Sequence, residues 1–180
     1  MNAKMSFVSA LQSLFFMGAF LGTFNLVGFK DPKLSYVPYK ILHNDRNFSG
    51  IIFQKHQNGS LYKVIFSWNG RQVGTEHRWY SNGQKWLEEE YKAGQLHGQS
   101  RQWYSDGSVK FLKNFVEGKA HGEFWGWHPN GELAEHTLFH HGRASQHKAF
   151  ISDGKLYRNI VFHNEQRLGL KGDAFCKSDR

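Results

Sequence analysis

Histidine is the residue type in this chain best suited to metal chemistry, since eleven histidines occur among 180 residues. His97 and His121 precede glycines 24 residues apart; if that interval is two strands, they lie about 9–10 Å apart, too far to share an ion. His136 and His140 would lie about 13 Å apart along one strand, and the adjacent His140 and His141 are expected on opposite faces. The sequence therefore predicts no metal site, and His97 and His121 are expected to hydrogen-bond the backbone of a turn.

The acidic run Glu88–Glu90 is the other group with potential for chemistry. Glu88 and Glu90 on one strand face would be about 6.7 Å apart, close to the spacing of paired carboxylates in glycosidases. The positions 24 residues later hold Leu112 and Asn114, so we expect the run to face solvent. No Gly-x-Ser-x-Gly, P-loop, His-Glu-x-x-His or Cys-x-x-Cys motif occurs. We predict no catalytic residues, no cofactor and no enzymatic activity.

The spacing of the glycines shows that these residues belong to a tandem repeat. Three series recur every 24 residues: Gly50, Gly74, Gly98 and Gly122; Gly59, Gly83, Gly107 and Gly131; Gly70, Gly94, Gly118 and Gly142. Glycine normally fills roughly one position in ten or fewer, so this agreement is not a chance result. A fixed period of this length is typical of proteins built from stacked structural repeats.

Each repeat is predicted to be a β-hairpin. Each repeat contains two short runs of strand-forming residues, and an Asn-Gly or Asp-Gly pair follows the first run. This pair is the strongest local hairpin signal, because both central positions of a type I′ turn need positive φ. The runs are about seven to ten residues long, too short for most helices. The fold class is therefore all-β: an elongated antiparallel β-meander of about five 24-residue hairpin repeats, preceded by an N-terminal apolar helix. The structural turn glycines are Gly59, Gly83, Gly107, Gly131 and Gly154.

One tryptophan occupies the same place in three successive repeats: Trp79, Trp103 and Trp127. We expect these side chains to stack as an aromatic ladder in the core, with a ligand-stacking platform as the alternative. Side chains alternate along a strand. Val109 and Phe115, at even offsets from a turn glycine, are therefore expected on one face.

The repeat resembles the bacterial variant of the MORN repeat. The resemblance is carried by residues 91–98 (YKAGQLHG) with 103–107 (WYSDG), and again by residues 115–122 (FVEGKAHG) and 139–142 (FHHG). It covers about residues 48–166 and weakens in the end units, where Lys55 replaces the tryptophan and Gln146 the leading glycine. The resemblance implies an elongated β-meander and a role in protein or membrane association. Many such bacterial proteins are labelled antitoxins, and the family has no established active site.

The N-terminus predicts export. Residues 7–29 form a 23-residue apolar stretch behind a short basic start, which fits either a cleaved signal peptide or an uncleaved membrane anchor. The expected organisation is a signal peptide or anchor in residues 1–29, a linker and cap strand in 30–47, a MORN-variant repeat domain in 48–166 and a tail in 167–180. The expected location is the bacterial periplasm or inner membrane.

The net charge of +8 favours acidic partners. The basic residues are spread through the repeats, as on a solvated face. The leading hypothesis is a non-enzymatic envelope scaffold that binds an unidentified protein partner or an acidic surface, either lipid headgroups or polysaccharide, through binding loops at His97, Gly98, His121 and Gly122. The alternatives are an antitoxin-like inhibitor of a partner toxin and a polysaccharide-binding module. The N-terminus implies contact with a membrane, and export disfavours nucleic acid.

Overall fold

A computed structural model describes residues 25–38, 40–163 and 166–170 of this chain. The fold is all-β, with a long, largely antiparallel meander sheet of many hairpins, which confirms the predicted class at that level. Most of the predicted N-terminal apolar helix lies outside the described residues, and its last part, Asn25–Gly28, is a strand. Among the described residues no helix is long and apolar enough to cross a membrane.

The strands are short and follow one another closely along the chain. In order they are β1 Asn25–Gly28, β2 Leu34–Val37, β3 Lys40–His43, β4 Arg46–Asn47, β5 Gly50–Lys55, β6 Leu61–Trp68, β7 Arg71–Trp79, β8 Lys85–Lys92, β9 Gln95–Trp103, β10 Val109–Val116, β11 Lys119–Ala120, β12 Gly122–Trp127, β13 Leu133–His140, β14 Arg143–Phe150, β15 Leu156–His163 and β16 Gln166–Leu170. The chain divides into two compact units, residues 1–87 with 91–95 and residues 88–90 with 96–180.

The first unit has a buried apolar core. Its strands β5, β6 and β7 pair antiparallel, and β1 pairs parallel with β5. Strands β2, β3 and β4 form a separate three-stranded sheet in the segment expected to be mainly a linker. The buried cluster contains Val27 of β1, Ile41 of β3, Phe48, and Ile52 and Ile65 of β5 and β6. Residues 25–47 therefore contribute to the folded unit, because their apolar side chains complete its core.

The second unit is an antiparallel series in which β9, β10, β12, β13, β14, β15 and β16 pair in that order. The last strand includes residues 167–170, which were expected to begin the tail. Most described side chains of this unit are only half-buried. Its buried side chains are Ser100, Thr137, Ala149 and Ile160, and the strand register places all four on one face of the sheet.

The structure contains two kinds of hairpin turn, and the Asp-Gly turn differs from the sequence prediction. At the Asp-Gly turn, Gly107 has φ 93°, whereas Asp106 is not among the residues with positive φ. The Asp106 carboxylate instead accepts a hydrogen bond from the Ser108 backbone N–H at 2.8 Å. The prediction that both positions adopt positive φ was therefore wrong here. Both do so in the other turn series, as at Glu117 (φ 51°) and Gly118 (φ 74°).

A register shift follows the Asp-Gly turn and reverses the expected faces. Val109 pairs with Trp103, but the next pair joins Phe111 to Gln102, so one extra residue enters the strand as a β-bulge. A one-residue shift moves every later side chain to the other face. Phe115 shares a face with Phe111, four residues earlier, and therefore lies on the other face of the sheet from Val109. The prediction that Val109 and Phe115 share a face was wrong. Equivalent shifts occur at Lys55–Leu61, Trp127–Leu133 and Phe150–Leu156.

Candidate binding groove

Two of the three predicted ladder tryptophans line an open groove in the second unit. Trp103 and Trp127 lie there with Arg101, Val109 and Leu112, around a volume of about 520 Å³. Ser108 and Gly131, from two successive turns, complete the lining. The β-bulge brings this set together, because it turns Val109 to the face that carries Leu112 and the tryptophans.

The groove tryptophans are half-buried, and their expected stacking as a core ladder stays a prediction. The buried residues of this unit lie on the opposite sheet face, where the Phe124 ring packs against the rings of Phe115 and Phe139 at 5.2 and 4.5 Å between centroids. The phenylalanine face therefore holds the buried side chains found among the described residues of this unit. The tryptophan face keeps accessible aromatic surface.

Trp79, the third ladder tryptophan, belongs to the first unit and has other neighbours. Its ring stacks on His77 at 5.7 Å between centroids, and its backbone carbonyl is 2.9 Å from His56 Nε2. The Tyr104 hydroxyl likewise donates to the Trp127 carbonyl at 2.8 Å. His56 and Tyr104 are two repeat periods apart, so a side chain just before the turn links one repeat to the next. This recurring position was visible in the sequence, but its contact was not.

The groove carries a positive charge. The Arg101 guanidinium donates through Nε to Gln99 Oε1 at 3.1 Å, which orients the charge without neutralising it. Beyond Leu112 on the same face, the Trp125 ring stacks on His136 at 3.8 Å between centroids. The groove lining thus combines one cation with aromatic and apolar side chains, and no carboxylate lines the groove among the described residues. Outside the groove, the Glu123 carboxylate lies 3.6 Å from His136 Nε2.

The predicted His-Gly loops differ from each other. His97 Nδ1 accepts a long hydrogen bond from the Glu117 N–H at 3.4 Å, as expected for a histidine that supports a turn. His121 Nδ1 is buried and has no hydrogen-bond partner among the described residues. The His121 ring instead lies 5.6 and 5.2 Å from those of His140 and His141.

The last two of these histidines were expected on opposite faces of a strand, and that prediction was wrong. His140 ends β13, whereas His141 has φ 47° and begins the following turn. Strand alternation therefore does not apply between them, and their ring centroids are only 4.6 Å apart.

A buried charge cluster in the first unit was missed at the sequence level. The Glu76 side chain is 2% exposed, and its carboxylate lies 3.0 Å from Lys63 Nζ and also pairs with Arg78. Gln72 Nε2 donates to it at 2.9 Å. Partial burial, and secondarily the charge of Glu76, raises the pKa of Tyr36 to about 12, although its side chain remains 48% exposed. Residues 72, 76 and 78 alternate onto one face of β7, a signal hidden among otherwise dispersed charges.

The fold and the groove define a β-hairpin repeat protein with an accessible aromatic surface. No family model matches the chain, and no curated protein matches it. The likeness to MORN-variant repeats therefore remains a hypothesis based on the residues quoted above.

Proposed function

We propose that this protein is a non-enzymatic repeat scaffold that binds a partner protein through the groove beside Trp103 and Trp127. The observation that carries the proposal is the pair of half-buried indoles in an open groove. Tryptophan and arginine are enriched among the residues that dominate binding energy at protein interfaces. Val109 and Leu112 supply apolar contacts in the groove, and Arg101 beside them supplies a charged contact.

The groove favours an acidic partner segment. Arg101 is the charged residue of the groove lining, and the whole chain carries a net charge of +8. Complementary charge accelerates association and selects among partners. The antitoxin-like hypothesis is a special case of this proposal, in which the bound protein is a toxin.

A polysaccharide is the second candidate ligand. The two indoles that line one groove favour it, because the apolar faces of sugar rings pack against flat aromatic surfaces. Intrinsic tryptophan fluorescence distinguishes the candidates: a saturable change on addition of an acidic polysaccharide supports this ligand, and an unchanged spectrum argues against it.

The proposed location is the bacterial envelope. This part of the proposal depends on the apolar residues 7–29, of which 7–24 lie outside the described residues. Reporter proteins fused after Arg180 test this location. Activity of a reporter that functions only in the cytoplasm would refute export.

Tryptophan substitutions test the groove. Trp103→Ala and Trp127→Ala are each expected to weaken capture of the partner from an envelope extract by about tenfold or more, because residues that dominate interface energies contribute about 2 kcal/mol or more. Trp68→Ala is the matched control, since Trp68 is 63% exposed and lies in the other unit. Equal loss of the captured protein in all three variants, or in none, would refute the proposed groove.

A further inference from the structure

We propose that His121, His140 and His141 bind a divalent transition-metal ion, for which Zn²⁺ is the suitable probe. Each histidine offers one ring nitrogen, and the three nitrogens lie within 4.8 Å of one another. Three nitrogens bound at ~2.0–2.1 Å to a tetrahedral Zn²⁺ are about 3.3 Å apart. The rings of His140 and His141 are exposed, so small side-chain rotations close this difference.

The backbone holds the contributing segments together before any ion binds. The Gly142 N–H donates to the Ala120 carbonyl at 2.7 Å, and the His121 N–H donates to the Asn114 carbonyl at 2.9 Å. The first bond joins the turn between β13 and β14 to strand β11, and the second holds residue 121 against strand β10. Metal binding therefore requires side-chain rotation and no rearrangement of the chain, which limits its conformational cost.

A second observation also points to a ligand at this place. His121 Nδ1 is buried and has no hydrogen-bond partner among the described residues, although buried polar atoms are nearly always paired. A metal ion would satisfy such a nitrogen. In the preceding repeat the equivalent nitrogen, His97 Nδ1, already accepts the Glu117 N–H.

The chemistry of the donors selects the ion. Neutral imidazole suits Zn²⁺, Cu²⁺, Ni²⁺ and Fe²⁺, whereas Mg²⁺ and Ca²⁺ require oxygen ligands. Three protein ligands leave at least one coordination position for water or an outside ligand. This site is separate from the groove residues and goes beyond the proposed scaffold function.

Calorimetric titration of the full chain, produced without a histidine tag, tests the proposal. We expect one saturable Zn²⁺ site per chain and no comparable heat with Mg²⁺. His141→Asn and His121→Gln are each expected to weaken Zn²⁺ binding at least tenfold, since even the loss of an outer-shell partner costs 10–100-fold. Asparagine tolerates the positive φ of residue 141, so this variant retains the turn.

His43→Gln is the control, because His43 lies in the other unit. The affinity of this variant for Zn²⁺ is expected to stay within twofold of that of the original chain. Co²⁺ gives an independent readout, since intense visible absorption reports a tetrahedral site with nitrogen ligands. Unchanged affinity in folded His141→Asn, equal loss in His43→Gln, or the absence of saturable binding would each overturn the proposal. If His121→Gln fails to fold, His141→Asn alone decides the question.

Discussion

Substitution of Glu76 by glutamine is expected to destabilise the first unit strongly. The carboxylate is 2% exposed and contacts Lys63, Arg78 and Gln72. Glutamine retains an oxygen acceptor but loses the charge, so two cations remain beside a neutral group. Removal of one partner from a buried ion pair typically costs about 3–5 kcal/mol.

The expected cost lies at the lower end of that range, about 3 kcal/mol. The side chains of Lys63 and Arg78 remain 19% and 25% exposed, so water partly compensates both cations after the substitution. With a urea dependence of about 2 kcal/mol per molar for a chain of this size, the unfolding midpoint should fall by about 1.5 M. Repeat proteins often unfold in parts, so amide hydrogen exchange in β6 and β7 should accompany the circular-dichroism transition.

Two further variants make this reasoning refutable. Glu132→Gln changes an exposed glutamate and should alter stability by no more than about 0.5 kcal/mol. Replacement of Lys63, Glu76 and Arg78 together by Met, Leu and Met should recover most of the loss, because apolar residues replace buried ion clusters well. If Glu76→Gln behaves like Glu132→Gln, the buried-charge argument is wrong.

Two more predictions concern titration and packing. Partial burial and the Glu76 charge raise the pKa of Tyr36 to about 12, so its phenolate absorbance should appear near that pH and shift lower in Glu76→Gln. The stability that this proton contributes is present below pH ~10 and lost as pH rises toward 12, and it is small because the Tyr36 side chain is 48% exposed to solvent. Subtraction of the Tyr36→Phe titration measures the pKa, and an ordinary value near 10 would contradict the prediction. Gly126→Ala should cost about 1–3 kcal/mol in urea unfolding, because its Cβ would lie 2.9 Å from Phe111 Cε1; Gly28→Ala, with only an ordinary contact at 4.0 Å, should cost little, and equal costs would refute the steric explanation.

The sequence was sufficient to predict the hairpin architecture, because local chemistry determines it. Residues such as Gly107 must adopt positive φ where the chain reverses, and their 24-residue period shows where each reversal falls. The alternative turn geometry at Asp106 was not predicted. An aspartate either enters the left-handed region or accepts a hydrogen bond from the backbone N–H two residues later, as Asp106 does from Ser108, and both conformations are compatible with the same Asp-Gly pair.

The candidate sites could not be predicted in the same way. One extra residue at each bulge determines whether Val109 lies with the tryptophans or with Phe115, and strand register depends on pairing between segments. The contact of His121 with His140 and His141 likewise depends on a hydrogen bond between a turn and the short strand β11, 22 residues earlier, from Gly142 to Ala120.

The sequence by itself determined the period, the turn positions and the all-β class, since these depend on conformational preferences of neighbouring residues. Only the tertiary structure decided which side chains share a face, which charges are buried and which histidines meet. Those properties depend on contacts between residues far apart in the chain, such as Glu76 with Lys63, and the pattern of residue types within one strand does not specify them.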